Sequence, residues 1–120
     1  MTNGAKLLVK WLNDNVLTAY QEPVSSQAKL PYISFSYAES EMATDTIISL
    51  SIWTRSTTHR AAYEYADKID ELLGPGEDGI IIHGDDIYMN IRRGSPFAQN
   101  KNDEDDTIRA VLVNLIIRTY

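Results

Sequence analysis

The residues best suited to chemistry are few and scattered along the chain. His83-Gly84-Asp85-Asp86 gathers an imidazole and two carboxylates within four positions, donor types that suit a divalent cation. The same four residues fit the tip of a β-hairpin. Gly84-Asp85 then forms a two-residue turn with glycine first, and His83 faces Asp86 as an ordinary cross-strand pair. A cation would need further ligands that nothing nearby clearly supplies, so the hairpin tip is the expectation.

Three other segments have the composition of a site without its pattern. Asn100-Lys-Asn-Asp-Glu-Asp-Asp is acidic enough for calcium, but an EF-hand loop requires Gly at its sixth position and Glu at its twelfth. Here those positions hold Asp105 and Val111. A solvated acidic loop is expected instead, one that a partner could order. Gly74-Pro-Gly-Glu-Asp-Gly lacks the Lys-Ser/Thr ending of a phosphate loop and follows a helix rather than a strand. No serine stands in a nucleophile elbow, and His59 falls in the first turn of a helix. With no cysteine in 120 residues, disulfides, thiolate zinc sites and cysteine nucleophiles are excluded. The expectation is a protein with no catalytic residues, no cofactor and no metal.

Charge narrows the partners. Seventeen acids against eleven bases give a net charge of −6. From Glu64 to Asp86 there are eight acids and one base, and Asp103 to Asp106 is an unbroken acidic run. Clustered Lys and Arg, which release counterions on a duplex, are missing, so direct nucleic-acid binding is not expected. No apolar run approaches the roughly 20 residues of a membrane-spanning helix, and Met1-Thr-Asn-Gly does not open a signal peptide. Use or assembly in a cytosol is the corresponding expectation.

The elements that must position these residues follow from periodicity. Leu7, Leu8, Trp11 and Leu12 form one helical stripe within 3–13, capped by Thr2 or Asn3 and ended by Asn13-Asp14-Asn15. Val16–Tyr20 is a short strand. Tyr32–Glu41 and Ile47–Arg55 alternate as a hairpin joined at Met42–Asp45. Ala62, Tyr65, Ala66, Ile69, Leu72 and Leu73 place a second helix over 58–73, with Ser56-Thr57-Thr58 as its cap and Gly74-Pro75 as its stop. Ile80–Arg92 reads as a second hairpin, Gly94–Asp106 as a long loop, and Thr107–Tyr120 as a closing strand.

These elements predict one α+β domain over 1–120: a mostly antiparallel or mixed sheet of about five to six strands, with both helices packed mainly on one face. The other face would then expose Trp53, Ile47 and half of the last strand. Another subunit is the commonest cover for such a face, unless one helix crosses to it. Trp11 and Trp53 read as core or interface anchors. Arg92, Arg93 and Arg109 flank the long loop and have two readings. They either pair with nearby acids at strand ends or make contacts across a subunit boundary.

The N-terminal helix, then Pro31-Tyr-Ile-Ser-Phe, then Ile48-Ser-Leu-Ser-Ile-Trp-Thr-Arg running into the helix Thr58–Leu73, resembles the small tail terminator proteins of long-tailed bacteriophages. These are also called tail completion or head–tail joining proteins. The hairpin, the loop and the final Arg109-Ala-Val-Leu-Val-Asn-Leu-Ile-Ile strand complete the likeness over nearly the whole chain. The resemblance implies a non-enzymatic virion protein of a phage or prophage, assembled in the bacterial cytoplasm. It would form a homo-oligomeric ring, generally a hexamer, that sits on the tail tube protein, ends tube polymerisation and meets the head–tail connector protein. Trp53, Arg92, Arg93, Phe97 and Arg109 are the candidate interface residues. Another phage neck or minor capsid component is the alternative, followed by a small ligand-binding α+β domain.

Overall fold

Strands that alternate apolar and polar residues can bury one face and leave the other to solvent, and six of them do so here in a single sheet. The computed structural model describes residues 3–38, 41–101, 105 and 107–120. In chain order the elements are α1 (Asn3–Asn15), β1 (Ala19–Gln21), β2 (Tyr32–Phe35), β3 (Thr46–Arg55), α2 (Arg60–Leu73), β4 (Ile80–Gly84), β5 (Ile87–Lys101) and β6 (Ile108–Thr119). The sheet order is β1-β2-β3-β6-β5-β4. β1 and β2 run parallel and every other neighbouring pair is antiparallel, so the α+β domain has a mixed sheet.

Successive strand residues point to opposite faces. One face carries Ile33, Phe35, Ile48, Leu50, Ile52, Met89, Ile91, Val111, Val113, Leu115 and Ile117, all buried. Both helices cover this face. α2 lies over β3, β5 and β6, while α1 touches β1 at one sheet edge and β4 and β5 at the other. The sheet is therefore curled around its helices, and α1 bridges its two edges. Leu7, Leu8, Trp11 and Leu12 of α1 and Ala62, Ala66, Ile69 and Leu73 of α2 complete the core.

The helix ends differ from expectation by about two residues. Asn13 does not stop α1: its amide donates to the Val9 carbonyl at 2.9 Å and its Oδ1 accepts the Ala19 N–H at 3.2 Å. The side chain thus joins the last turns to β1. Capping by Thr2 lies outside the described residues. α2 begins at Arg60 rather than Thr58 because Ser56 Oγ and Thr58 Oγ1 accept the N–H groups of Thr58 and Arg60, closing local turns that compete with the helix. Gly74, at φ +73°, ends it as the sequence implies.

Three expectations about strands are corrected. β2 ends at Phe35, so the hairpin link to β3 spans residues 36–45 rather than four residues. The β4–β5 turn is Asp85-Asp86, with Asp86 at φ +60°, and His83 pairs with Tyr88 instead of Asp86. This register is two residues from the expected one, which leaves every side chain on its expected face. The long loop from Gly94 is also shorter than expected, because β5 continues to Lys101. Pro96 and Gly94 suggested a break, but they sit in an irregularity between Arg93 and Ala98, where a sheet tolerates both. A Cβ on Gly94 would lie 2.8 Å from the Asn114 Cβ, and Asn114 donates to the Pro96 carbonyl at 2.9 Å. The expected acidic run lies outside the described residues except for Asp105.

Candidate functional site

The face opposite the helices is the candidate functional surface, and its two ends differ. At the end formed by β2, the C-terminal half of β3 and the start of β6, the side chains cover one another. Trp53 Nε1 donates to Ser34 Oγ at 2.9 Å, and Lys101 Nζ donates to Ser51 Oγ at 2.9 Å while lying 4.9 Å from the Trp53 ring centroid. Ser34 and Ser51 are buried, and Glu22 reaches over to accept from Ser36 at 3.0 Å. A shallow groove beside this cluster is lined by Glu22, Ser36, Ile47, Ser49, Ser51 and Lys101. Trp53 was expected to be exposed. It is half-buried, because its indole edge and its ring face each have a partner in the same chain.

The other end is apolar and charged. Cross-strand register sets three rows: Ile47, Ile116 and Arg92; then Arg118, Asn90 and Ile81; then Tyr120, Tyr88 and His83. Rows two residues apart and strands about 4.8 Å apart make this a patch roughly 13 by 14 Å between backbone positions. Among the described residues, the exposed large hydrophobics are Ile47 (71%), Met42 (70%), Ile81 (64%), Tyr88 (56%) and Tyr120 (45%). Four stand in these rows. Met42 borders them, since the next residue, Ala43, donates its N–H to the Thr119 carbonyl at 2.8 Å.

At the centre, Asp45 accepts from Arg118 Nε at 2.8 Å and from Arg92 Nη2 at 2.5 Å. Hydrogen bonding from Arg118, followed by the pull of both guanidiniums, holds the Asp45 carboxyl below its usual range. Asp45 and Tyr120 raise Arg118 in return. Arg92 Nε is buried with no hydrogen-bond partner.

The five residues singled out from sequence do not form one site. Trp53 and Arg92 share the uncovered face at opposite ends. Arg93 points to the helix side, where it donates to the carboxylate and carbonyl of Asp70 and to the Gly74 and Gly76 carbonyls. Phe97 is half-buried against the core in the β5 irregularity. Arg109, at the start of β6, donates to the carbonyls of Ile108 and Asp105 at 2.9 and 3.4 Å. Thr107 donates to Asp105 from its hydroxyl and its N–H and lowers that carboxyl as well.

His83 lies 5.8 Å from the Tyr88 ring, centroid to centroid. Among the described residues no three His, Asp or Glu side chains converge in a way that could hold a metal, and no helix is long and apolar enough to cross a membrane. No protein-family model and no curated protein matches this chain.

The sequence reading missed Asp45, Ile81, Tyr88, Arg118 and Tyr120. Alternation alone could have found Ile81, Tyr88 and Tyr120, since each stands out of phase with the apolar residues of its own strand. No local signal pairs Asp45 with arginines 47 and 73 positions away.

Proposed function

We propose that this chain is a structural subunit of a phage or prophage tail, forming a ring of copies, a hexamer by resemblance, that caps the tail tube and joins it to the head connector. The observation that carries this reading is the gathering of exposed apolar side chains around a buried-edge arginine at one end of the bare sheet face. Tyrosine, methionine and arginine beside isoleucine is the composition of a protein interface rather than of ordinary surface. The chain also exposes 7083 Å², against about 6500 Å² for a compact monomer of its mass. The segments Pro31–Phe35, Ile48–Arg55 and Arg109–Ile117 supply the resemblance to tail terminators.

The mechanism is geometric. A closed ring whose two faces differ can bind a growing end through one, which repeats the tube's contacts, and present the other to a different partner. No bond is made or broken. Purified tail tube protein, allowed to polymerise with and without this chain, tests the reading by electron microscopy. Short tubes with a ring on one end are expected. Unchecked lengthening in the presence of the chain overturns the assignment.

A further inference from the structure

The sheet ends in two edge strands that are finished differently. β1 is three residues long, and the Ala19 N–H is taken by Asn13 Oδ1 at 3.2 Å. β4 has no such cover. Tyr88 exchanges both of its backbone bonds with Tyr120, on the β6 side, so its cross-strand partner His83 turns its N–H and C=O away from β5. Alternation gives Ile81 the same direction. Among the described residues, these four groups have no hydrogen-bond partner. The usual protections of an edge, a lysine, a proline or a bulge, are also missing from Ile80-Ile-Ile-His-Gly84. Between α1 and the end of β4 lies a cavity of about 300 Å³, whose lining includes Leu7, Gly84 and Ile87 together with Lys6, Lys10 and Asp85.

We infer that β4 is a pairing edge, and that its occupant is β4 of a second copy, antiparallel about a two-fold axis. Ile81 of each copy meets His83 of the other, because this register alone uses both outward residues of both strands. Pairing Ile81 with itself would call on Gly79, which at φ +66° has left the strand, and pairing His83 with itself would call on the turn at Asp85. Two residue pairs then exchange four backbone hydrogen bonds. On the helix side, Ile82 faces Ile82 of the second copy, and Ile80 faces Gly84. Since Gly84 has no side chain, Ile80 of the second copy enters the cavity beside Leu7 and Ile87. No Asp, Glu, Lys or Arg stands in the paired span. Just beyond it, Asp78 of one copy approaches the Asp85-Asp86 turn of the other, so association should tighten with added salt. A ring with unlike faces contains no two-fold axis. The pair therefore belongs to the free chain and does not rest on the tail reading.

Sedimentation equilibrium over a range of concentrations, with Ile81→Pro beside the unmodified chain, tests the pairing. The Ile81 N–H points away from β5, so proline removes it without breaking the β4–β5 ladder. The unmodified chain is expected to pass from monomer to dimer. Ile81→Pro should weaken that step by roughly tenfold or more, since two of the four hydrogen bonds are lost. Ile81→Lys replaces it if circular dichroism shows that the proline variant has not folded. Disulfide trapping reads the register separately, in a chain that has no cysteine of its own. Under mild oxidation Ile82→Cys is expected to cross-link two copies faster than Tyr88→Cys, although Ile82 is half-buried and Tyr88 exposed. An unmodified chain that stays monomeric at every concentration overturns the inference. So does a dimer that the folded Ile81 variant leaves intact, or trapping at position 88 that is as fast as at 82. Tail tubes are absent from these measurements. Loss of the pair leaves the terminator reading standing, and failure to cap tubes leaves the pair standing.

Discussion

Arg93 Nη2 donates to the Gly74 carbonyl at 2.6 Å, so a residue in the middle of β5 closes the end of α2. Further bonds reach the Asp70 carbonyl at 2.8 Å and the Gly76 carbonyl at 3.1 Å. The last carbonyls of a helix have no partner within it, and a guanidinium fork can serve several at once. Arg93→Met should lower unfolding free energy by about 1–3 kcal/mol, read from urea midpoints. Arg93→Lys should recover little, since a point charge cannot span three carbonyls. Full recovery by lysine would reduce the contact to simple charge attraction with Asp70.

Burial separates two isoleucines that composition treats alike. Ile69 of α2 is fully buried and Ile47 of β3 is 71% exposed. Ile69→Ala should cost about 2–5 kcal/mol, and Ile47→Ser should stay within about 0.5 kcal/mol for the isolated chain. Denaturant titration at low protein concentration checks both.

Gly79 and Gly76 both hold positive φ, at +66° and +94°, but differ in their surroundings. A Cβ on Gly79 would lie 1.9 Å from the Ile91 carbonyl oxygen, whereas Gly76 has open space. Gly76→Ala should therefore cost only the conformational penalty, about 1–2 kcal/mol. Gly79→Ala should lower the melting temperature further, since β4 must move away from β5. Equal melting temperatures would show that β4 yields without cost.

The Asp45 carboxyl is lowered by Arg118 and then by Arg92, which fixes the sign of a pH effect. A carboxylate with a depressed folded-state pKa stabilises above its unfolded pKa, and that contribution is lost as pH falls through the folded value. Asp45→Asn should thus be less stable than the unmodified chain at neutral pH. The gap should close as pH falls through and below the carboxylate range. A gap independent of pH would mean that shape, not charge, holds the loop at 45 to the sheet.

What the sequence revealed and what it hid divide along the range of the interaction. Leu7, Leu8, Trp11 and Leu12 report their helix face locally, because each is three or four residues from another. Ile80, Ile82, Ile87, Met89 and Ile91 report their sheet face, and did so even with the hairpin register misplaced by two. Lengths and partners were less visible. Gly94 and Pro96 look like a strand end until Asn114, from another strand, is seen to accommodate them. Arg92 and Arg93 are adjacent in sequence yet serve opposite faces, one with Asp45 and the other with the end of α2. The surface patch was hidden for the same reason: its members come from four strands and meet only after the sheet has formed.

Because α1 spans from β1 to β4, one amphipathic segment flanks both margins of the sheet. Strand addition is the usual hazard of an open margin, and dislodging this helix would uncover Leu8 and Leu12 beside both margins at once. A lesion in α1 should therefore favour fibrous aggregation through the margins it leaves open.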